Sequence, residues 1–200
     1  QMNDKRLNPA DLRPINNTQH TAYRCRDAEQ TRWFCEDVLG LKLAAALAFD
    51  EHSGVEGLPR KYMHLFFAMG DGNLVAFFDD PDHVSSDYFD KKMDGFNSHI
   101  SMEVGSMEDL LAMQKRIRDA GITCLGPIDH GFAKAVYFYD PNNIQMELIC
   151  KTPNYGEIMA AATKDGHRSI ADWSKKVRKQ KEALFGAKAL DQRGKNKLAA

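Results

Sequence analysis

The sequence predicts an α+β protein made of two βαβββ modules and a helical extension. Two observations carry this. The order strand, capped helix, three strands occurs twice, and laying His20 on His99 brings Asp27 onto Ser106 and Glu29 onto Glu108. The chain has 200 residues, 43% of them apolar with 11 Phe, which suffices for one well-packed core shared by two small halves. A duplicated, curved sheet of this kind closes a cleft.

The elements follow in order. Residues 1–17 are polar, carry Pro9 and Pro14, and read as an arm without chemistry. The first module spans residues 18–80. It opens with an alternating strand from His20 to Cys25, and Asp27 then reads as a helix N-cap, with Gln30 three residues on completing a capping-box pattern. Trp33, Phe34, Val38 and Leu39 form the apolar stripe, and Gly40 stops the helix. Strands are expected over 41–49, 62–69 and 74–78, with 50–60 a polar loop and Gly70-Asp71-Gly72 a turn. Residues 81–98 form a connector rich in Asp, long enough to be a lid or site wall.

The second module spans residues 99–151. Its first strand opens with His99, Ser106 caps a helix striped by Leu110, Leu111, Met113 and Ile117, and Gly121 ends it. Strands are expected over 122–125, 133–139 and 144–150. Asp140-Pro141-Asn142-Asn143 is the tight turn between the last two, where Asn tolerates positive φ, and no function is read into it. Phe66, Phe67, Phe77, Phe78, Phe132 and Tyr139 read chiefly as core. Residues 152–200 are a helical extension with helices over 158–162 and 170–185. The second carries a basic face and a Trp173 stripe expected to pack on the domain or a subunit partner.

Net charge is −1 and the pI is about 6.7, so no electrostatic footprint for nucleic acid is present. No apolar run approaches the roughly 20 residues a membrane helix requires, and no signal peptide is visible. Cys25, Cys35, Cys124 and Cys150 lie far apart without a CxxC pair and read as buried, reduced thiols, as in a cytoplasmic protein. Small molecules are the expected partners.

The chemistry starts from Glu147. It sits inside an alternating strand between Met146 and Leu148, where a carboxylate needs a cation, a hydrogen-bond partner or a proton. His20 and His99 open the first strands of the two halves. Two imidazoles and one carboxylate facing a cleft form the set that binds a divalent metal with about three positions open. His52 and His83 fall in expected loops and His167 in the tail, and all three read as solvent-exposed.

The residues from His20 through Asp27, Phe34 and Leu39-Gly40-Leu41, with Tyr137-Phe138-Tyr139-Asp140-Pro141 ahead of Glu147, resemble the vicinal oxygen chelate superfamily. That group includes glyoxalase I, fosfomycin and bleomycin resistance proteins and extradiol ring-cleaving dioxygenases. The resemblance covers about residues 18–151 and implies a U-shaped β-cleft around a metal held by His20, His99 and Glu147.

Glyoxalase I-like members place a fourth ligand, a Glu, in the last strand of the first half. Here the strand following Asn73 offers no carboxylate before Asp79, and Ala76 or its neighbour stands at that position. The resemblance therefore implies a three-ligand site, with Fe(II) as cofactor, O2 as co-substrate and a catechol-like aromatic as substrate, as in one-domain extradiol-type dioxygenases. Tyr137 stands ten residues before Glu147, at the spacing of the family's catalytic tyrosine. The family's acid/base histidine falls where this chain has Asn73, which leaves His64 and His130 as substitutes. Two alternatives accompany this expectation: a non-redox glyoxalase, epimerase or transferase using Zn(II), Mn(II), Co(II) or Ni(II), and a metal-free drug-binding resistance protein. A homodimer is expected.

Overall fold

The computed structural model describes residues 15–53, 57 and 59–193. The arm before residue 15, three residues of the expected 50–60 loop, Leu58 and the last seven residues lie outside these. The two predicted modules are present, each with a four-stranded sheet of the same connectivity.

The first unit holds β1 (His20–Cys25), α1 (Ala28–Arg32), β2 (Lys42–Ser53), β3 (Pro59–Ala68) and β4 (Leu74–Asp79), in sheet order β1-β4-β3-β2. β1 runs parallel to β4, and the other pairs are antiparallel. Asp27 caps α1 as expected, accepting a hydrogen bond from the Gln30 amide at 2.6 Å. The reciprocal half of the capping box is not made, because the Gln30 Oε1 is buried without a hydrogen-bond partner. After Arg32 the helix widens into a π-helical turn over Trp33–Val38, which sends Phe34, Cys35 and Val38 inward. Together with Phe67, Val75 and Phe77 they make this unit's core.

The second unit holds β5 (His99–Glu103), α2 (Met107–Asp119), β6 (Leu125–Asp129), β7 (Ala133–Tyr139), β8 (Gln145–Lys151), and the C-terminal helices α3 (Tyr155–Phe185) and α4 (Ala187–Asp191). Its sheet order is β5-β8-β7-β6. The Ser106 Oγ accepts from the Asp109 amide at 3.1 Å and donates to the Asp109 carboxylate at 2.6 Å, a complete N-terminal lock. Leu110, Ile117, Val136, Phe138 and Met146 form the core.

Several expectations are corrected. The polar stretch after residue 49 is not all loop: β2 continues to Ser53 and β3 begins at Pro59, with His52 opposite Arg60, so His52 lies in a strand. An edge ribbon tolerates polar residues because alternate side chains reach water. The strand expected over 122–125 instead starts at Leu125. Upstream, the Arg118 guanidinium captures the Cys124 carbonyl at 2.6 Å and 3.0 Å, tying that segment to α2 instead of a neighbouring strand.

His83 is exposed, as expected, in a 3-10 turn (Pro81–His83), where it donates to Asp80 at 2.9 Å. Phe132 is exposed, not core. The tail is one 31-residue helix rather than two, none of its residues is buried, and Trp173 is 56% exposed, so its stripe does not pack on its own chain. The four cysteines are free and buried, as expected. Among the described residues no helix is long and apolar enough to cross a membrane.

The Asp140–Asn143 turn groups with the first unit although it joins β7 to β8. Asn142 is buried there. Its Oδ1 accepts from the Arg26 amide at 2.8 Å, and its Nδ2 donates to Asp140 at 2.8 Å and weakly to Thr31 at 3.4 Å. Asn143 adopts φ 61°, the left-handed conformation that Asn accepts more readily than most residues, and its Nδ2 donates to the Phe89 carbonyl. The turn is thus a polar plug, which its sequence did not disclose.

Candidate metal centre

In the second unit, strand register assembles the site. β5 lies beside β8 with His99 opposite Gln145 and Ser101 opposite Glu147, and β7 lies on the other side of β8 with Tyr137 opposite Glu147. His99, Glu147 and Tyr137 therefore face the same side. The His99 Nδ1 is 2.7 Å from the Gly95 carbonyl. A carbonyl only accepts, so Nδ1 carries a proton, and in the neutral imidazole Nε2 keeps its lone pair. That lone pair faces the Glu147 carboxylate, with Nε2 to Oε2 at 3.8 Å.

In that state two acceptors are opposed without a hydrogen bond, and either a proton on Nε2, which makes an ion pair, or a bound cation relieves their repulsion. Bonds of about 2.1 Å from imidazole and carboxylate to a divalent ion would span the gap. His99 Nε2 and Glu147 are thus a pair that could hold a metal ion. Among the described residues no group of three or more His, Cys, Asp or Glu side chains meets at one point, so the second unit by itself supplies a pair.

The other Glu147 oxygen is occupied. The Tyr137 hydroxyl donates to Oε1 at 2.7 Å, and the His130 Nε2 lies 2.8 Å from the same hydroxyl. Since the hydroxyl proton goes to Glu147, the His130 Nε2–H donates to the Tyr137 oxygen. A directed chain results, from His130 to Tyr137 to Glu147. Burial, then the hydrogen bond and charge of Glu147, push the Tyr137 pKa up to about 12.

Tyr137 is therefore a phenol at neutral pH. Because its folded pKa lies above the ordinary value of about 10, its contribution to stability is complete below pH 10 and is lost as pH rises through about 12. Absorbance titration at 295 nm should show a tyrosine step near pH 12 that is missing in Tyr137→Phe. A Tyr137 step at pH 10 would contradict the hydrogen-bond chain.

A cleft of about 890 Å³ opens over His99, His130 and Tyr137. Its walls include Leu125, Ile128, Tyr139 and Gln145, together with residues 94–98 of the connector, and Phe96 on that loop is fully exposed. Among the described lining residues none is Lys or Arg, and Asp94 is the one acid.

The first unit repeats the pattern with different chemistry. His20 opens β1 opposite Leu74, so Ala22 and Ala76 occupy the places that Ser101 and Glu147 hold in the second unit. Phe66 stands opposite Ala76 where Tyr137 stands opposite Glu147. The hydrogen-bonded pair has become an apolar one, and Ala76 is fully buried. The His20 Nδ1 contacts the Gln19 side-chain oxygen.

His64 stacks on Phe78 with ring centroids 3.9 Å apart, its ring centre 5.9 Å from that of His20. Its Nε2 is buried without a hydrogen-bond partner, and burial, then His20, lower its pKa. Asn73 lies in the β3–β4 turn, where its side chain donates to Asp71 at 2.7 Å and its backbone amide to the same carboxylate at 2.9 Å. That bond commits Asn73 to the turn.

The profile of the Glyoxalase/Bleomycin resistance protein/Dioxygenase superfamily matches residues 17–148. The chain belongs to this superfamily. Among solved structures, this superfamily member is similar to a glyoxylase/bleomycin resistance protein/dioxygenase domain from Frankia sp. EAN1pec, at 21% identity and TM-score 0.56, covering 70% of this chain and 100% of that one. It is also similar to FosX, a fosfomycin resistance protein from Listeria monocytogenes, at 19% identity and TM-score 0.51, covering 71% and 98%. A further FosX structure, at 18% identity and TM-score 0.51 over 71% and 95%, holds Mn(II) and sulfate. These likenesses establish the shared fold. No curated protein matches the sequence.

Within the superfamily member's second unit, the groups that sequence reasoning missed are the Gly95 carbonyl, Leu125 and Ile128. A backbone acceptor leaves no residue-type signal, although the Asp94-Gly95 dipeptide marks a turn four residues before His99. Leu125 and Ile128 were hidden by the misplaced strand.

Proposed function

We propose that the protein is an Fe(II)-dependent dioxygenase that cleaves the ring of a neutral, catechol-like aromatic, with His20, His99 and Glu147 as metal ligands. The opposition of the His99 lone pair and the Glu147 carboxylate at 3.8 Å carries the metal reading. His20 is assigned as third ligand on its register equivalence to His99. Ala76 at the duplicate position of Glu147 favours three protein ligands over four, which leaves positions for substrate and O2.

A bound Fe(II) would supply Lewis acidity and bring catechol and O2 together. The chain's own residues do the rest. Leu125, Ile128 and Tyr139 offer an apolar surface to a planar ring. Tyr137, as a phenol, holds a proton beside Glu147 and presents its oxygen to a substrate hydroxyl, and the His130 Nε2–H returns a proton to the Tyr137 oxygen when that proton has been given up. No proton transfer is assigned to Asn73, and His64 shapes the aromatic wall around His20. Catechol and O2 combine so that both oxygen atoms enter the ring-opened product, and no external reductant is required.

The phosphonate that another FosX structure, at 18% identity and TM-score 0.50, contains alongside Mn(II) would call for cationic wall residues. The described cleft walls offer none, and Asp94 disfavours a carboxylated ring as well. With the anaerobically Fe(II)-loaded protein, catechol and 4-methylcatechol should consume O2 in equal molar amount, at least about tenfold faster than 3,4-dihydroxybenzoate, a ratio that corresponds to about 1.4 kcal/mol of activation free energy. Absence of O2 uptake with every catechol, in protein that retains iron, would overturn the dioxygenase assignment.

A further inference from the structure

Asp94 stands one position before the residue whose carbonyl holds His99. Its side chain accepts from the Phe96 amide at 2.9 Å, and its own carbonyl accepts from the Asn97 amide at 2.8 Å and the Ser98 amide at 3.2 Å. These three bonds close residues 94–98 into a compact turn directly before β5. They also aim the Gly95 carbonyl at the His99 Nδ1. The turn is seated on β8, since a Cβ on Gly95 would fall 1.5 Å from the Gln145 Oε1, and Gln145 is the register neighbour of His99. His99 itself is 47% exposed, so packing does little to fix its ring.

We propose that Asp94 is a positioning residue for the metal centre: through the turn it caps, it presents the Gly95 carbonyl that locks His99 in the Nδ1–H tautomer with Nε2 toward Glu147. The inference rests on the metal reading above and deepens it. A free imidazole exchanges between tautomers, and the one with the proton on Nε2 cannot ligate through that atom. A capped turn removes that competing state before any ion arrives. Asp94 acts here by accepting a hydrogen bond, and its charge is not used. Asn accepts the same bond in the same turn geometry, whereas Ala does not.

The test compares wild type, Asp94→Ala and Asp94→Asn in two measurements. In metal-free protein, long-range ¹H–¹⁵N NMR of the imidazoles, with the His99 signals assigned by loss in His99→Gln, should show a single Nδ1–H tautomer in wild type and Asp94→Asn, and a mixture in Asp94→Ala. Titration with Co(II), followed by its visible absorption, should give an affinity about tenfold weaker for Asp94→Ala, the lower end of what outer-shell changes produce, and within threefold of wild type for Asp94→Asn. Thermal unfolding of all three proteins separates loss of the turn from loss of the fold.

An unchanged tautomer and affinity in Asp94→Ala would overturn the inference. So would equal losses in Asp94→Asn, which would make the carboxylate's charge the cause. Wild type that takes up no Co(II) would sink the metal reading instead, while the NMR comparison still decides the role of Asp94.

Discussion

Glu147→Ala should lower metal affinity by more than about a hundredfold, beyond the range that loss of an outer-shell partner produces. The side chain is 11% exposed, with Oε1 taken by Tyr137 and Oε2 opposite the His99 Nε2. Removal deletes the only anionic member of the donor set and leaves the Tyr137 hydroxyl without its acceptor. Glu147→Gln separates these effects. The amide oxygen still accepts from Tyr137, so the hydrogen-bond chain survives, but the negative charge opposing His99 is gone. Metal affinity should fall in both variants, whereas the Tyr137 titration should move back toward pH 10 further in Glu147→Ala, where burial alone sustains its shift, than in Glu147→Gln, where the hydrogen bond remains. Isothermal titration with Co(II) and the 295 nm titration read the two quantities. Wild-type affinity in Glu147→Gln would show that Glu147 is no ligand.

Asp80→Ala has the largest expected effect on stability. The Asp80 side chain is 4% exposed and receives Arg60 at 2.6 Å, His83 at 2.9 Å and Arg24 at 3.3 Å. It joins the end of β4 to β1, β3 and the turn at Pro81–His83. Burial pushes its pKa up, but the hydrogen bonds from His83, Arg60 and Arg24 outweigh this and hold the carboxyl below the usual range.

Removing the one buried member leaves three partly exposed donors without their shared acceptor and costs about 1.5–3 kcal/mol, the scale of hydrogen bonds to a charged group. Because the folded pKa is depressed, the stabilisation is present above the unfolded value of about 3.9 and fades as pH falls through the lower folded one. Urea unfolding should therefore show a large wild-type to Asp80→Ala difference at pH 7 that narrows in acid. A difference under about 0.5 kcal/mol at pH 7, the scale of an ordinary surface substitution, would contradict the account.

The two-module fold was legible because apolar period, caps and stops recur together at His20 and His99. The same duplication exposed the histidines, and Glu147 stood out as a carboxylate among apolar strand neighbours. Tyr137 followed from its spacing to Glu147, and the structure places it in hydrogen-bond contact. Two features resisted for different reasons. The strand over 122–125 had the right composition, but the Arg118 side chain, seven residues back on α2 from Leu125, claimed the Cys124 carbonyl, a tertiary contact that local propensity does not encode. With β6 displaced, Leu125 and Ile128 could not be read as cleft walls. Asn142 is the second case. Its residue type predicted a turn, and the turn formed, but its burial against Arg26 and Thr31 depends on residues more than a hundred positions away.

His130 illustrates the opposite outcome. As a sequence position it was one of two substitutes for a missing acid/base group, equal to His64. Geometry separates them: His130 contacts the Tyr137 hydroxyl at 2.8 Å, whereas the His64 ring is stacked on Phe78 with its Nε2 enclosed. The central claim is that this chain holds one divalent metal through His99 and Glu147. Metal analysis of protein purified without oxygen or chelators tests it most directly. The account predicts one iron per chain in wild type and occupancy at least about tenfold lower in His99→Ala. Protein that carries no divalent metal, or carries it equally in His99→Ala, would contradict it.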